Sequence, residues 1–465
     1  MKDLTQGSIS RLLVAMAVPM AVGMLFQTLY LLVDLYFVAR LGDAAIAGVS
    51  SAATVGFVIL ALTQMLGVGT VALVSHAVGR KDPNGANRVF NQSVLLSGLC
   101  AVLTLCAGWI LAGPYARAVA ADSPAAAAGA AYLRWYAPGL ALQFALVAMG
   151  SALRGTGIVK PTMVVQMLTV ILNTVLAPVL ISGWGTHHAF GAAGAGLASS
   201  VSIACGVVFL WIYFVRLEHY VALHPRLWAP DFRLIRRILN IGLPAGGEFF
   251  MVFVILGVMY WLIRGFGPAA QAGFGIGGRV MQGLFLPVMA VAFAVAPVAG
   301  QNFGARRYDR VRETFRTAAI QSSVLMLAIT ALCQWRPGWF IEAFTRQPQV
   351  VEVGGTYLRI ISWNFVATGL IFSASGAFQA LGNTWPSLLS SASRLLTFVL
   401  PAVLMSRSPH FALVRVWYLS VATVTLQALT SLVLLRWQMH KRLDAAATDA
   451  SRAAAVAAAA GGKGG

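Results

Sequence analysis

Charge is scarce in this sequence. Only 10% of its 465 residues are charged, and acids are the scarcer sign, with 14 Asp and Glu against 33 Lys and Arg. Soluble domains are about a quarter charged. A chain that is 59% hydrophobic with mean hydropathy +0.79 is therefore excluded from one or two soluble domains and reads as a polytopic membrane protein. Cysteine is almost missing. Cys100, Cys106, Cys205 and Cys333 lie in apolar segments without CxxC spacing, which excludes a disulfide framework and a thiolate metal site and leaves buried thiols. No GxxxxGK[ST] occurs, so ATP hydrolysis has no machinery and ion-gradient coupling remains. No His and acid cluster marks an interface, which sets aside a membrane-embedded transferase, and His187 and His188 read as a solvated loop. The basic residues are dispersed over short loops, so no nucleic-acid partner is expected despite the net charge of +19.

Long apolar runs are what the sequence has instead. Residues 12 to 39 form a 28-residue stretch whose one formal charge is Asp34. About 20 residues suffice to cross a bilayer core, and a signal-peptide core is far shorter, so this stretch is read as a mature transmembrane helix. A carboxylate inside the membrane costs about 2.5 kcal/mol or more and usually carries function. Gln27, Tyr30 and Asp34 fall at i, i+3 and i+7, on one helical face.

Twelve such segments are expected, at about 12–39, 46–76, 91–113, 128–151, 162–183, 191–215, 238–263, 269–299, 317–335, 355–378, 386–405 and 412–436. The chain also repeats itself at a constant shift of 225 residues: Pro19 pairs with Pro244, Gly42 with Gly267, Gly79 with Gly304, Tyr132-Leu133-Arg134 with Tyr357-Leu358-Arg359, Gly157 with Gly382 and Pro161 with Pro386. One register held through Gly, Pro and Arg indicates an internal duplication. The expected organisation is an N-terminal six-helix bundle at 1–225, a C-terminal six-helix bundle at 226–443 and a flexible, low-complexity tail at 444–465.

Sidedness follows from the basic residues. Loops on the N-terminal side carry 22 of the 33 Lys and Arg, against seven on the other. The positive-inside bias then places both termini and the 216–237 connection in the cytoplasm, in the cell inner membrane, with anionic lipid headgroups as partners. An even number of spans makes the halves parallel repeats about a pseudo-two-fold axis along the membrane normal, an arrangement of secondary transporters. The fold class is thus an all-α polytopic membrane protein of twelve transmembrane helices in two bundles.

The pattern from Pro19 to Gly48 with Gln27, Tyr30, Asp34 and LGDAAIAG, then SHAVGRKD, ALRGTGIVKPT, GRVMQGLFLPVMAVAFAVAPVAGQNFGARRYDRV and GAFQALGNTWPS, resembles the multidrug and toxic compound extrusion (MATE) family of cation antiporters. The resemblance spans both halves. It implies two six-helix bundles forming a cleft that alternates between faces, no catalytic residues and no cofactor beyond a coupling ion, and export of organic cations in exchange for protons or sodium by an expected monomer. Carried over position by position, it implies a coupling site of Tyr30, Asp34, Asn173 and Ser199. Where many members have an acid one turn after the helix 5 Asn, this chain has Ala177. A sodium site wants several hard oxygen ligands, so protons are expected to be the coupling ion.

Glu248, one turn beyond Pro244, is the other acid well inside an apolar segment. With Gln27 and Arg279 it is a candidate for the substrate cavity, the alternative being a Glu248–Arg279 salt bridge. A lipid or lipid-linked precursor flippase of the same superfamily is the second functional reading, and it would be expected to show a basic cavity.

Overall fold

The computed structural model describes residues 1–444 apart from 121, 186, 219, 409 and 410, and leaves out the side chains of Leu31, Asp34, Leu35, Ala44, Ala53 and Asp444. The expected tail falls almost wholly outside the described residues. Among the described residues fourteen α-helices run in order: α1 Ile9–Ala39, α2 Asp43–Gly79, α3 Pro83–Val119, α4 Ser123–Gly155, α5 Lys160–Ser182, α6 Ala192–Arg216, α7 Phe232–Ile263, α8 Pro268–Gly304, α9 Tyr308–Trp335, α10 Pro337–Glu342, α11 Pro348–Ile361, α12 Phe365–Ala380, α13 Trp385–Ser406 and α14 Leu413–Met439. They supply 12 spans long and apolar enough to cross a membrane among the described residues. A helix satisfies its own backbone, which is what an apolar span requires. The chain is a multi-pass membrane protein with an all-α fold.

The duplication is present in the backbone. Asp43–Gly79 and Pro268–Gly304 have bounds that differ by 225 at both ends, and Ser123–Gly155 has the same relation to the span Pro348–Ala380. The joints agree as well. Positive φ occurs at Gly42 and Gly267 (100° and 88°), at Gly157 and Gly382 (80° and 67°), and at the non-glycine pair Lys81 and Arg306 (56° and 60°). So do the helix crossings: a Cβ on Gly48 would stand 2.8 Å from the Gly129 nitrogen, and one on Gly273 would stand 3.0 Å from that of Gly354.

One expected segment differs. The tenth, 355–378, is read from sequence as a single run, but it divides into α11 and α12 around a 3-10 turn at Ser362–Asn364. The turn frees carbonyls that neighbouring side chains collect: Gln334 Nε2 donates to Arg359 O (2.6 Å) and Thr330 Oγ1 to Ser362 O (3.0 Å).

Two compact units result, Met1–Asp3 with Val14–Val254 and Leu4–Leu13 with Ile255 onward. The sequence division at 225/226 gives all of α7 to the second half, whereas the packing gives its first part to the first unit. Glycine explains this: Gly242 and Gly246 let α7 press its backbone onto Met65 and Ala61 of α2, and Phe253 meets Phe57 at 5.3 Å. In the first unit α4 packs against α2, α3 and α6, with α5 on α6. In the second, α8 packs against α9, α11 and α12, and α14 against α12 and α13. The second core centres on stacked Phe274 and Trp417 (5.6 Å), with Tyr357 edge-on to both.

Candidate functional site

The candidate site in the first unit is built on α5. Thr162, Gln166, Thr169 and Asn173 recur at spacings of four, three and four, which aligns them along one face of the helix. The Gln166 amide lies over Gly23 of α1, where any Cβ would collide with it. Glycines bring α6 equally close: Gly194 faces the Leu180 carbonyl of α5, and a Cβ on Gly206 would stand 2.9 Å from Thr169 Oγ1. Asn173 and Ser199 lie between those two crossings along α5 and α6, and both are buried.

Asn173 has 0% exposure, and neither its Oδ1 nor its Nδ2 has a hydrogen-bond partner. An unsatisfied buried polar group costs about 1–3 kcal/mol. The amide leaves one donor group and one acceptor unused. Ala177, one turn on, is also at 0% and packs with Val38, Val49, Tyr132, Ile181 and Ala195. The position of the missing carboxylate is filled by apolar packing. Among the described residues no group of three or more His, Cys, Asp or Glu could hold a metal ion.

The other candidates are distributed as follows. Tyr30 is half-buried on α1 and Gln27 is exposed there. The Asp34 side chain lies outside the described residues, although its backbone is helical. Glu248 is half-buried on α7 within the first unit, two residues beyond the Gly246 contact with α2. Arg279 is exposed on α8, in the second unit. Gln27, Tyr30, Asp34, Asn173, Ser199 and Glu248 are thus all carried by one packing unit, and Arg279 by the other.

Two polar residues of the second unit escape the sequence reading. Arg394, inside α13, keeps Nε buried without a hydrogen-bond partner, and so does Asn364 with Oδ1 at the α11/α12 turn. Arg394 was available to the same rule that selects Asp34, because it is the one charge in the apolar run 386–405. Asn364 carries no such signal, since its burial depends on the turn.

Relatives agree with the geometry. The MatE family model matches residues 19–179 and 244–404, two stretches again displaced by 225. The chain is 26% identical over 387 residues to "Probable multidrug resistance protein YpnP" of Bacillus subtilis, covering 82% of this chain and 86% of that protein. It is 24% identical over 375 residues to "Multidrug export protein MepA" of Staphylococcus aureus, covering 79% and 80%. Among solved structures, "Crystal structure of MATE in the bent conformation" superposes with a TM-score of 0.89 at 25% identity, covering 96% of this chain and 98% of that one. A transporter of the MOP superfamily from Pyrococcus furiosus, described as having a binding pocket of reverse polarity that suggests a different function, superposes at 0.87 with 25% identity, covering 94% and 98%. With both repeats matched by the family model and the helices laid out as in its solved members, this chain belongs to the MatE family of transporters, which are not enzymes.

Proposed function

We propose that this protein is a secondary antiporter that exports organic cations, as in multidrug efflux, in exchange for protons, with Asp34 as the coupling residue and Tyr30, Asn173 and Ser199 around it. The observation that carries the reading is the orphaned Asn173 amide. It lies in the unit that also bears Asp34, and it can hydrogen-bond a carboxyl in either protonation state. The apolar packing around Ala177 favours protons, because a site with one anionic ligand suits a proton better than sodium. Desolvation can lift a buried carboxyl by up to 3–5 pH units, into the range where it loads and releases protons. A pH unit supplies about 1.4 kcal/mol per proton and 100 mV about 2.3 kcal/mol per charge, so two protons per monovalent cation sustain substantial accumulation. Gln27 and Glu248 serve the substrate in this reading, both termini face the cytoplasm, and the working unit is a monomer in the inner membrane.

Arg279 and Arg394 inside α8 and α13 of the second unit favour a second reading. Basic side chains there suit an anionic, lipid-like substrate, and a relative with a pocket of reversed polarity exists. Uptake of a fluorescent organic cation into proteoliposomes separates the readings. Uptake driven by an imposed pH gradient is expected. Uptake driven by sodium at clamped pH and potential refutes proton coupling, and transport of a fluorescent anionic lipid with none of the cation favours the second reading.

A further inference from the structure

On the face that carries the N-terminus, two stretches rich in arginine come together. Arg80 follows the last residue of α2, Arg88 lies in the second turn of α3, and Arg233 and Arg237 stand in the first two turns of α7. With Leu73, His76, Gly85, Val89, Leu234 and Asp231 they line a cavity of about 270 Å³. Four arginines and one carboxylate residue thus line the same cavity. That carboxylate is already committed: Asp231 Oδ2 accepts from Arg88 Nη2 (3.2 Å), and Oδ1 accepts from the backbone N–H groups of Arg233 and Leu234 (3.1 Å each), capping α7. Among the described residues Arg80, Arg233 and Arg237 have no acidic partner.

The second unit shows what a closed version of this place looks like. At the repeat shift, His76 corresponds to Gln301, Gly85 to Arg310, and the stretch 231–237 to residues 6–12. There the chain from Leu4 fills the position. Leu4 N–H donates to Gln301 Oε1 (2.9 Å), and Asn302 Nδ2 donates to Leu4 O (3.1 Å). Arg307 and Arg310 spend their guanidinium groups on the carbonyls of Thr5 and Gly7 (2.9 Å each). Ser8 and Leu12 stand where the first unit has Arg233 and Arg237. The second unit satisfies two arginines with main-chain oxygens, whereas the first adds two arginines and, among the described residues, supplies no such oxygens.

We propose that the cavity between the ends of α2, α3 and α7 is a binding site for a phosphate group, of the kind carried by an anionic phospholipid headgroup. The guanidinium groups offer forked donors that match phosphate oxygens in pairs. Their height matches a headgroup, since all three helices begin or end their spans at this level, and basic pockets between transmembrane helices are recurrent headgroup sites. Bound there, one phosphate ties the α2/α3 hairpin to the start of α7, the connection that among the described residues Asp231 alone makes in charge terms.

The test is saturable stabilisation of the full-length protein in neutral detergent, followed by its 12 tryptophans. Three probes are titrated: dioctanoyl phosphatidic acid, dioctanoyl phosphatidylcholine and sodium phosphate. Dioctanoyl phosphatidic acid is expected to raise the unfolding midpoint saturably and in a salt-sensitive manner, and phosphatidylcholine is not. The double variant Arg233→Gln, Arg237→Gln is expected to need about tenfold more ligand or greater for the same shift. Arg226→Gln, Arg236→Gln, which removes equal charge outside the cavity, should need the same amount as the native chain. If sodium phosphate alone reproduces the shift with the same arginine dependence, the site stands and its ligand is free phosphate. Absence of any saturable shift, or equal weakening by the control variant, overturns the proposal. Should the α7 variant fail to fold, Arg80→Gln, outside any helix, replaces it, with bound phosphatidic acid counted by native mass spectrometry. A count unchanged from the native chain again overturns the proposal.

Discussion

The fourth span of the first unit runs through Pro138 without a break, whereas its counterpart in the second divides at Ser362–Asn364. Both repeats face one difficulty at this depth, a helix that loses backbone hydrogen bonds among apolar neighbours. In the first unit a hydroxyl from α6 is spliced into the helix: Ser200 Oγ donates to Trp135 O (2.6 Å) and accepts from Gly139 N–H (3.0 Å). In the second, Gln334 and Thr330 of α9 take up the carbonyls of Arg359 and Ser362. Freed backbone groups in a membrane must be satisfied by neighbouring helices, but nothing dictates which neighbour does it. The duplicated positions that remain alike are those where backbone geometry leaves no choice, namely tight joints and glycine crossings. Side-chain solutions have diverged around them.

The strongest challenge to this equivalence is a pair of substitutions. Gly48→Leu and Gly273→Leu both force a side chain between backbones, at Gly129 and Gly354, and each is expected to cost more than about 3 kcal/mol. Both should abolish recovery of monodisperse protein by size-exclusion chromatography, and tolerance of one alone breaks the equivalence of the crossings.

Next in size is a feature of the first unit only. Asn91 of α3 accepts from His224 N–H (2.9 Å) and Trp228 Nε1 (3.1 Å) and donates to Ala222 O (2.9 Å), binding the connection between the two repeats along α3. Asn87 and Gln92 hold it on either side, at Ala222 and at Leu227, Ala229 and Asp231. Asn91→Leu leaves those backbone groups unpaired at about 1–3 kcal/mol each. The expected outcome is a thermal midpoint lowered by several degrees, with limited proteolysis in 217–231. The corresponding residue, Arg316, should tolerate Leu without such a loss.

A smaller effect distinguishes paired from unpaired polar groups within the first unit. Ser200→Ala removes a bridge and is expected to cost about 1–3 kcal/mol of stability. Asn173→Leu removes a buried amide with no partner, so stability should be unchanged or raised, by up to about 1–3 kcal/mol. Export should nevertheless fall at least tenfold, about 1.4 kcal/mol. Loss of stability with transport retained reverses the assignment. Smallest is Glu248→Gln, expected to weaken export of cationic substrates severalfold while leaving zwitterionic ones nearly unaffected in competition assays; equal weakening of both removes Glu248 from substrate selection.

Much of this molecule was legible in its sequence, because a constant shift through Gly, Pro and Arg survives where side chains do not. The joints at Gly42, Gly157 and Lys81 follow from it. The α11/α12 turn does not, since Trp363 stands where the first repeat has Pro138 and no breaker marks it. The α3 strap is equally silent: Asn87, Asn91 and Gln92 look like ordinary polar residues near a helix start, and their partners are backbone groups more than 130 positions away. Asn173 could be nominated by family resemblance, but its lack of a partner is a property of packing. The arginine cavity arises only when 80–88 and 231–237 meet.

The central claim is that a proton carried at Asp34 in the first unit drives export. Asp34→Asn and the native chain are to be compared in proteoliposomes for fluorescent-cation uptake under an imposed pH gradient, with thermal midpoint and substrate binding measured on the same preparations. The account predicts that the variant folds and retains substrate binding but shows no gradient-driven accumulation. Accumulation against a gradient by Asp34→Asn contradicts it.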